Sequence, residues 1–215
     1  SNFTKKDAYY RSQNNYNGFK NGTSCGGSCQ SRKEVVIAGS NGGILHAFDT
    51  SNGEELWGYI PPNILGKLST MVSSKANTTN AIYGIDGSPV VKDIYFDDTP
   101  NNSVNDPRWR TILLSGLGAG GHGYFALDIT DINSPKQLFT IEHDPFRQFV
   151  NHWDSDEKLT KYAYELNYSS FILNGKNIFK GNMPDEYDYQ KLGEAWSTPR
   201  IIRIKVNNKD RWVAV

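Results

Sequence analysis

The 215-residue chain carries 23 Lys and Arg against 23 Asp and Glu, a net charge of zero at neutral pH, with an isoelectric point near 6.9. That balance lacks the basic footprint of a nucleic-acid binder. No apolar run reaches the length of a membrane span, and no basic-then-apolar signal segment opens the chain, which leaves export open.

Residues 1–33 are polar, with Tyr9, Tyr10, Tyr16 and Phe19 scattered among Asn, Lys and Ser. They read as a lead-in loop with a short helix near Lys5–Arg11. Within this stretch "SCGGSC" places Cys25 and Cys29 around two glycines. No second Cys pair or His pair completes a zinc site, and the spacing is not the redox C-x-x-C. The spacing favours a local disulfide, and hence an oxidising compartment, over two free thiols.

"EVVIAG" (34–39), "ILHAFDT" (44–50) and "ELWGYI" (55–60) are short strands separated by "SNGG" and "SNGEE". Asn-Gly supplies the positive φ angles of hairpin turns, so the three form an antiparallel meander ended by Pro61-Pro62. Ile64, Leu65, Leu68, Met71 and Val72 then recur with helical spacing. They predict one amphipathic helix over about 63–74, capped by Asn63. Strand character returns in "GSPVVKDIYF" (87–96), "WRTILLSG" (109–116), "GYFALDIT" (123–130) and "KQLFTIE" (136–142). Residues 143–194 are polar and aromatic with weak periodicity, and read as an insertion with a hairpin around Asn174-Gly175. "AWSTPRIIRIKVNNKDRWVAV" resumes strand, turn and strand.

One stretch offers two readings. Gly116-x-Gly118-x-x-Gly121 matches the dinucleotide-binding fingerprint, which requires a helix to begin near the last glycine. Instead Phe125, Leu127 and Ile129 alternate with Tyr124, Ala126 and Asp128, a strand period. An internal repeat resolves the choice. Ala47-Phe48-Asp49 falls on Ala126-Leu127-Asp128, Leu56-Trp57 on Leu138-Phe139, and Gly39 on Gly116. A second echo lays "GSPVVKDIYF" on "STPRIIRIKV", each followed by a Trp-led strand. The glycine stretch is thus a longer turn between strands. Four antiparallel strands per unit define a β-propeller blade. The chain holds the last three strands of one blade (34–60), all four of a second (82–142) and two of a third (195–215). The intervening 61–81 and 143–194 are insertions. A propeller closes with about 4–8 blades, so a further segment of the same protein is expected to complete it.

With the strands placed, "SNGGILHAFDTSNGEELWGYIPPNIL", "GSPVVKDIYF", "WRTILLSGLGAGGHGYFALDIT" and "YQKLGEAWSTPRIIRI…WVAV" resemble successive motifs of the PilC/PilY family of type IV pilus biogenesis factors and tip adhesins. The resemblance runs from Glu34 to Val215 and is loose over 1–33 and 143–190. It implies an all-β fold, part of a modified quinoprotein-like propeller. It implies roles in pilus biogenesis, twitching motility and host-cell adhesion. The implied location is exported, at the bacterial outer membrane, cell surface or pilus tip. Implied partners are pilins or minor pilins and the host-cell surface or extracellular matrix. It also implies calcium in an Asp-rich loop beyond Val215, and no quinone.

Asp97, Asp98, Asn101 and Asp106 are the only weak metal candidates in the sequence. They lack the alternating Asp spacing and following Gly of an EF-hand-like loop and read as a solvated turn. Asp49 and Asp128, each before a turn, are read as bonding turn backbone rather than as catalytic bases. Trp57, Trp109, Trp196 and Trp212 are assigned to packing between blades. The insertion supplies the partner-contact candidates Phe146, Phe149, Trp153, Tyr162, Tyr164 and Tyr187, because loops carry function more often than the sheets beneath them. A non-enzymatic interaction module is the preferred reading. A quinone-dependent dehydrogenase or an outer-membrane scaffold propeller are the alternatives.

Overall fold

A strand whose two faces are both apolar must be covered on both sides, and residues 109–128 meet that condition. The structure is a computed structural model that describes residues 5–23, 32–73, 82–96, 108–163, 171–173, 176–178, 189 and 191–215. Helices α1 (Lys5–Gln13) and α2 (Tyr16–Lys20) precede a three-stranded sheet of β1 (Val35–Gly39), β2 (Leu45–Asp49) and β3 (Glu55–Tyr59). Two single-turn helices, α3 (Pro62–Leu65) and α4 (Leu68–Met71), follow. The second sheet has six strands in sequence order: β4 (Val90–Tyr95), β5 (Trp109–Gly116), β6 (Gly123–Asp128), β7 (Lys136–Asp144), β8 (Phe149–Trp153) and β9 (Leu159–Ala163). A small pair, β10 (Phe171–Leu173) with β11 (Lys176–Ile178), and a last pair, β12 (Ile201–Val206) with β13 (Lys209–Ala214), complete the chain. Every pairing is antiparallel. Among the described residues no helix is long and apolar enough to cross a membrane.

The alternation of β6 sorts its residues between two cores. Phe125 and Leu127 join Leu113, Leu117, Ile129 and Ile132 against Leu45, Ile64 and Ile85, and so seal the second sheet to the first. Ala126 joins Ile94, Ile112 and Leu114 against Ile201, with Tyr124 and Trp212 packed alongside, and so seals the opposite face to β12–β13. Three sheets therefore stack face to face like neighbouring blades.

The repeat holds at atomic detail. In the first blade the ladder slips between Ala47 and Phe48, so Ala47 faces Trp57 and Phe48 faces Glu55. In the second it slips between Ala126 and Leu127, so Ala126 faces Phe139 and Leu127 faces Gln137. Each slip is a β-bulge, which lets two consecutive residues share one side of the sheet. Leu56 and Trp57 accordingly both pack on the first core, and Leu138 and Phe139 both pack on the second. Each blade thus turns an adjacent Leu–aromatic pair toward the next. Asp49 Oδ1 accepts from the Ser51 N–H at 2.9 Å and the Ser51 hydroxyl at 2.6 Å. Asp128 Oδ1 accepts from the Thr130 N–H and hydroxyl at the same two distances. Their second oxygens meet cations at equivalent repeat positions, Lys33 at 2.8 Å and Arg110 at 3.4 Å. Both aspartates are turn-formers, as the sequence indicates.

Several details depart from expectation. The single helix over 63–74 is two turns broken at Gly66 and Lys67, with Val72 85% exposed beyond them. Asn63 lies inside α3 rather than capping it; Pro61 holds the cap position and Pro62 starts the helix, where its fixed φ suits the first turn. The second blade is extended by β8 and β9, which the weak periodicity of the insertion concealed. Of the hairpin expected around Asn174-Gly175, the strands β10 and β11 pair antiparallel with Phe171 opposite Ile178, and the two turn residues lie outside the described residues. The lead-in is two helices joined at Asn15, whose φ of 50° is left-handed. They pack on the second blade: the Trp109 indole donates to the Asn14 carbonyl at 2.6 Å, and the Tyr16 hydroxyl to Asp93 at 2.5 Å. Arg11 is buried with its guanidinium 3.9 Å above the Tyr16 ring. Trp109 thus meets these helices rather than a neighbouring blade. Trp57 and Trp212 pack between sheets as assigned, and Trp196 does not, being 63% exposed.

Candidate functional site

The glycine segment is not a phosphate cradle. β6 starts at Gly123 and no helix begins at Gly121, so the amide row and helix terminus that hold a pyrophosphate are missing. The segment closes on neighbouring backbone instead: Asp86 N–H donates to the Leu117 carbonyl at 3.0 Å, and Gly118 N–H to Ala195 at 3.2 Å.

Among the described residues, the two insertions meet at one cleft. The α3–α4 segment of the first lies over the edge that β8 and β9 add to the second blade. Between them is a cleft of about 520 Å³ lined by Asn63 and Lys67 above and by β7, β8 and β9 below. Side chains two apart on a strand share a face. Pairing therefore sets Glu142, Asn151 and Lys161 in a row across three strands. The next row outward on one side holds Asp144 and Phe149, and on the other Trp153 and Leu159. The hairpin that carries β9 is shaped by Asp154, whose Oδ1 accepts from the N–H groups of Asp156 at 3.0 Å and Lys158 at 2.9 Å. A polar chain ties it back to the first blade: the Tyr59 hydroxyl donates to Gln137 Oε1 at 2.6 Å, and Gln137 Nε2 to the Asp154 carbonyl at 2.7 Å.

Charges in the cleft are partly spent on structure. Lys67 Nζ donates to the Gly120 carbonyl. Asp144 accepts from the Arg147 backbone at 3.0 Å and its guanidinium at 2.9 Å. Partial burial pushes the Asp144 carboxyl up, but these bonds to Arg147 outweigh it and hold the group below its ordinary range. Glu142 accepts from Asn151 Nδ2 at 2.9 Å. Burial pushes its carboxyl above the ordinary range, against the opposing pull of that amide and of Lys67 and Lys161. Asn63 and Asn151 are 5% and 7% exposed, and both amide atoms of Asn63 and the Oδ1 of Asn151 are buried without a hydrogen bond.

These shifts have opposite signs in pH. For Glu142 the folded state favours the protonated form, so its contribution is present at low pH and lost as pH rises beyond the ordinary glutamate range. For Asp144 the contribution is present above the ordinary aspartate range and lost as pH falls through its folded value. Glu142→Gln is therefore expected to raise the melting temperature at about pH 8 and to change it little at about pH 4. Thermal unfolding at the two pH values checks this.

The contact candidates occupy different environments. Phe146, at 96% exposure, stands free on the turn between β7 and β8. Phe149 is buried, and it lines the cleft, with Lys161 Nζ 5.9 Å from its ring centroid. Trp153 is half-buried and lines the cleft, and Tyr162 is half-buried on the opposite face of the hairpin. Tyr164, Tyr187, Cys25, Cys29, Asp97, Asp98, Asn101 and Asp106 lie outside the described residues. Among the described residues no three His, Cys, Asp or Glu side chains are grouped to hold a metal. Glu142, Asn151, Lys161, Asn63 and Lys67 were not legible as a group, because register brings them together from four elements. The alternation in "FVNHW" was the one available signal.

A stack of antiparallel sheets with a bulged, Asp-closed repeat defines a sector of a β-propeller. The family described as the PilY1 beta-propeller domain matches residues 8–169, and the chain belongs to it. The type IV pilus biogenesis factor PilY1 of Pseudomonas aeruginosa strain UCBPP-PA14 is 36% identical over 111 residues, 52% of this chain and 9% of that protein. A PilY1 homolog of Xylella fastidiosa is 36% identical over 108 residues, 50% of this chain and 8% of that protein. The chain thus spans less than a tenth of the length of these relatives. The crystal structure of the Pseudomonas aeruginosa PilY1 C-terminal domain aligns with a TM-score of 0.41 at 23% identity, over 73% of this chain and 34% of that one.

Proposed function

We propose that this sector is a non-enzymatic interaction module of a type IV pilus-associated protein, supporting pilus biogenesis, twitching motility and host-cell adhesion. The family match over residues 8–169 carries the reading, because it spans the first two blades and the meeting of the two insertions. The sheets form the frame, and the insertion surface around Phe146 and the cleft makes the contacts. The partners are pilins or minor pilins, the host-cell surface or matrix, and the remaining blades of the same propeller. The protein acts after export, at the outer membrane, cell surface or pilus tip. Calcium belongs to a loop outside this segment.

Disrupting the chromosomal gene is expected to remove surface pili and twitching, with both restored by the full-length gene. Normal piliation in the disruptant would overturn the reading. Deleting 146–190 is too coarse a test of the insertion, since it removes β8 with its buried Phe149 and Val150. Phe146→Ser is the cleaner variant. It is expected to change stability by no more than about 0.5 kcal/mol while lowering adhesion of piliated cells to epithelial monolayers several-fold. Unchanged adhesion would remove this turn from the contact surface.

A further inference from the structure

The cleft between the insertions has the chemistry of a selective site, and the question is which ligand it fits. At about 520 Å³ it lies within the size range of small-molecule pockets, roughly 300–1,000 Å³. Its charges decide against strongly charged ligands. Asp144 is held by Arg147, and Lys67 by the Gly120 carbonyl. What remains is one carboxylate, Glu142, and one ammonium, Lys161, two strands apart in the same row. A divalent cation would face Lys67, Arg147 and Lys161, and a phosphate would face Glu142 and Asp144.

The remaining capacity is for hydrogen bonds with a neutral ligand. Asn63 and Asn151 line the cleft with unbonded amide atoms, and a buried polar group left unmade costs about 1–3 kcal/mol. Glu142 has one oxygen engaged by Asn151. Beside this row Trp153 offers a half-buried aromatic face with Leu159 opposite it on β9. Carboxylate, amides and ammonium together call for a ligand whose groups both donate and accept. The indole calls for one with an apolar face. Hydroxyls on a pyranose ring, with the C–H groups of its other face, satisfy both.

We infer that this cleft binds a pyranose unit of a glycan, with Trp153 stacked on the ring and Glu142 and Asn151 bonded to its hydroxyls. The inference rests on the adhesive reading above and names the ligand class of that same surface.

The test is saturation-transfer NMR on the full-length protein with methyl pyranosides of glucose, galactose, mannose and N-acetylglucosamine. At least one is expected to receive saturation. Trp153→Ala is expected to weaken binding about tenfold or more, and Glu142→Gln about threefold or more. Trp196→Ala, which alters an exposed indole outside the cleft, leaves it unchanged. Glu142→Gln is expected to stabilise the fold while weakening binding, which a merely structural role would not do. It also carries the test if Trp153→Ala fails to fold. No transfer to any pyranoside overturns the inference, as does transfer undiminished by Glu142→Gln and by any folded Trp153 variant. Transfer only to peptides assigns the cleft to a polypeptide partner and overturns it as well. Cells carrying Glu142→Gln are expected to keep their pili, so failure of the glycan assignment and failure of the pilus reading remain distinguishable.

Discussion

Truncating Phe125 to alanine is expected to lower stability by about 3–5 kcal/mol, the range for losing a buried phenyl ring from a close-packed core. Phe125 is fully buried at the centre of the contact between the first and second sheets. Its ring lies 5.8 Å from that of Tyr59, tilted by 40°, so the loss also removes an aromatic contact across the interface. Rigid β strands border the space on both sides, which limits collapse into the cavity. Since whole domains are stable by only about 5–15 kcal/mol, such a loss threatens the folded state itself. Denaturant unfolding of wild type and variant measures it. A cost below about 1 kcal/mol would mean that the sheets do not pack on each other here.

Gly120→Ala is expected to match the lower end of that loss. A Cβ at Gly120 would lie 1.7 Å from the Gly84 carbonyl oxygen, which is backbone and cannot rotate away. The neighbouring Gly87 is in the same position, its Cβ 2.1 Å from the Gly116 carbonyl oxygen. The chain crosses itself here at a separation only glycine permits. Loss of about 3 kcal/mol, the upper end of overpacking, is expected, with little soluble protein recovered. This position discriminates well. In a dinucleotide fingerprint the residue at 120 is one of the free positions between Gly118 and Gly121, and alanine would be tolerated. Gly66→Ala is the control: nothing lies within 4 Å of its Cβ, and its φ of −66° suits any residue. It is expected to be neutral or stabilising by about 0.4–1 kcal/mol. Thermal melts of the three variants check the order.

The blades were legible because their chemistry is local. Alternation in "GYFALD", turn dipeptides such as Asn41-Gly42 and the repeated Ala-x-Asp all act within a few residues, and the strands stand where those signals place them. The adjacent Leu56-Trp57 and Leu138-Phe139 pairs broke the period of two, and the bulge explains the break. The cations that meet Asp49 and Asp128 were hidden, since Lys33 and Arg110 sit 16 and 18 residues away and reach across a strand. α1 and α2 gave no amphipathic pattern because they bury aromatic rings and an arginine rather than an aliphatic stripe. β9 is exposed along most of its length, so nothing in its own residues marks it as a strand. Its pairing is imposed by the hairpin at Asp154. The cleft was least legible of all. It depends on the register of three strands and on a broken helix from another insertion; of its residues only Phe149 and Trp153 stand out in the sequence as contact candidates, and Asn63 reads there as a helix cap.

The most direct test is the pairing register of β5 and β6 in a crystal structure of the intact protein. Antiparallel strands are expected, with Ile112 opposite Asp128 and Gly116 opposite Tyr124, joined through a turn at 117–122. A helix launched from Gly121, or parallel strands flanked by helices, would contradict it.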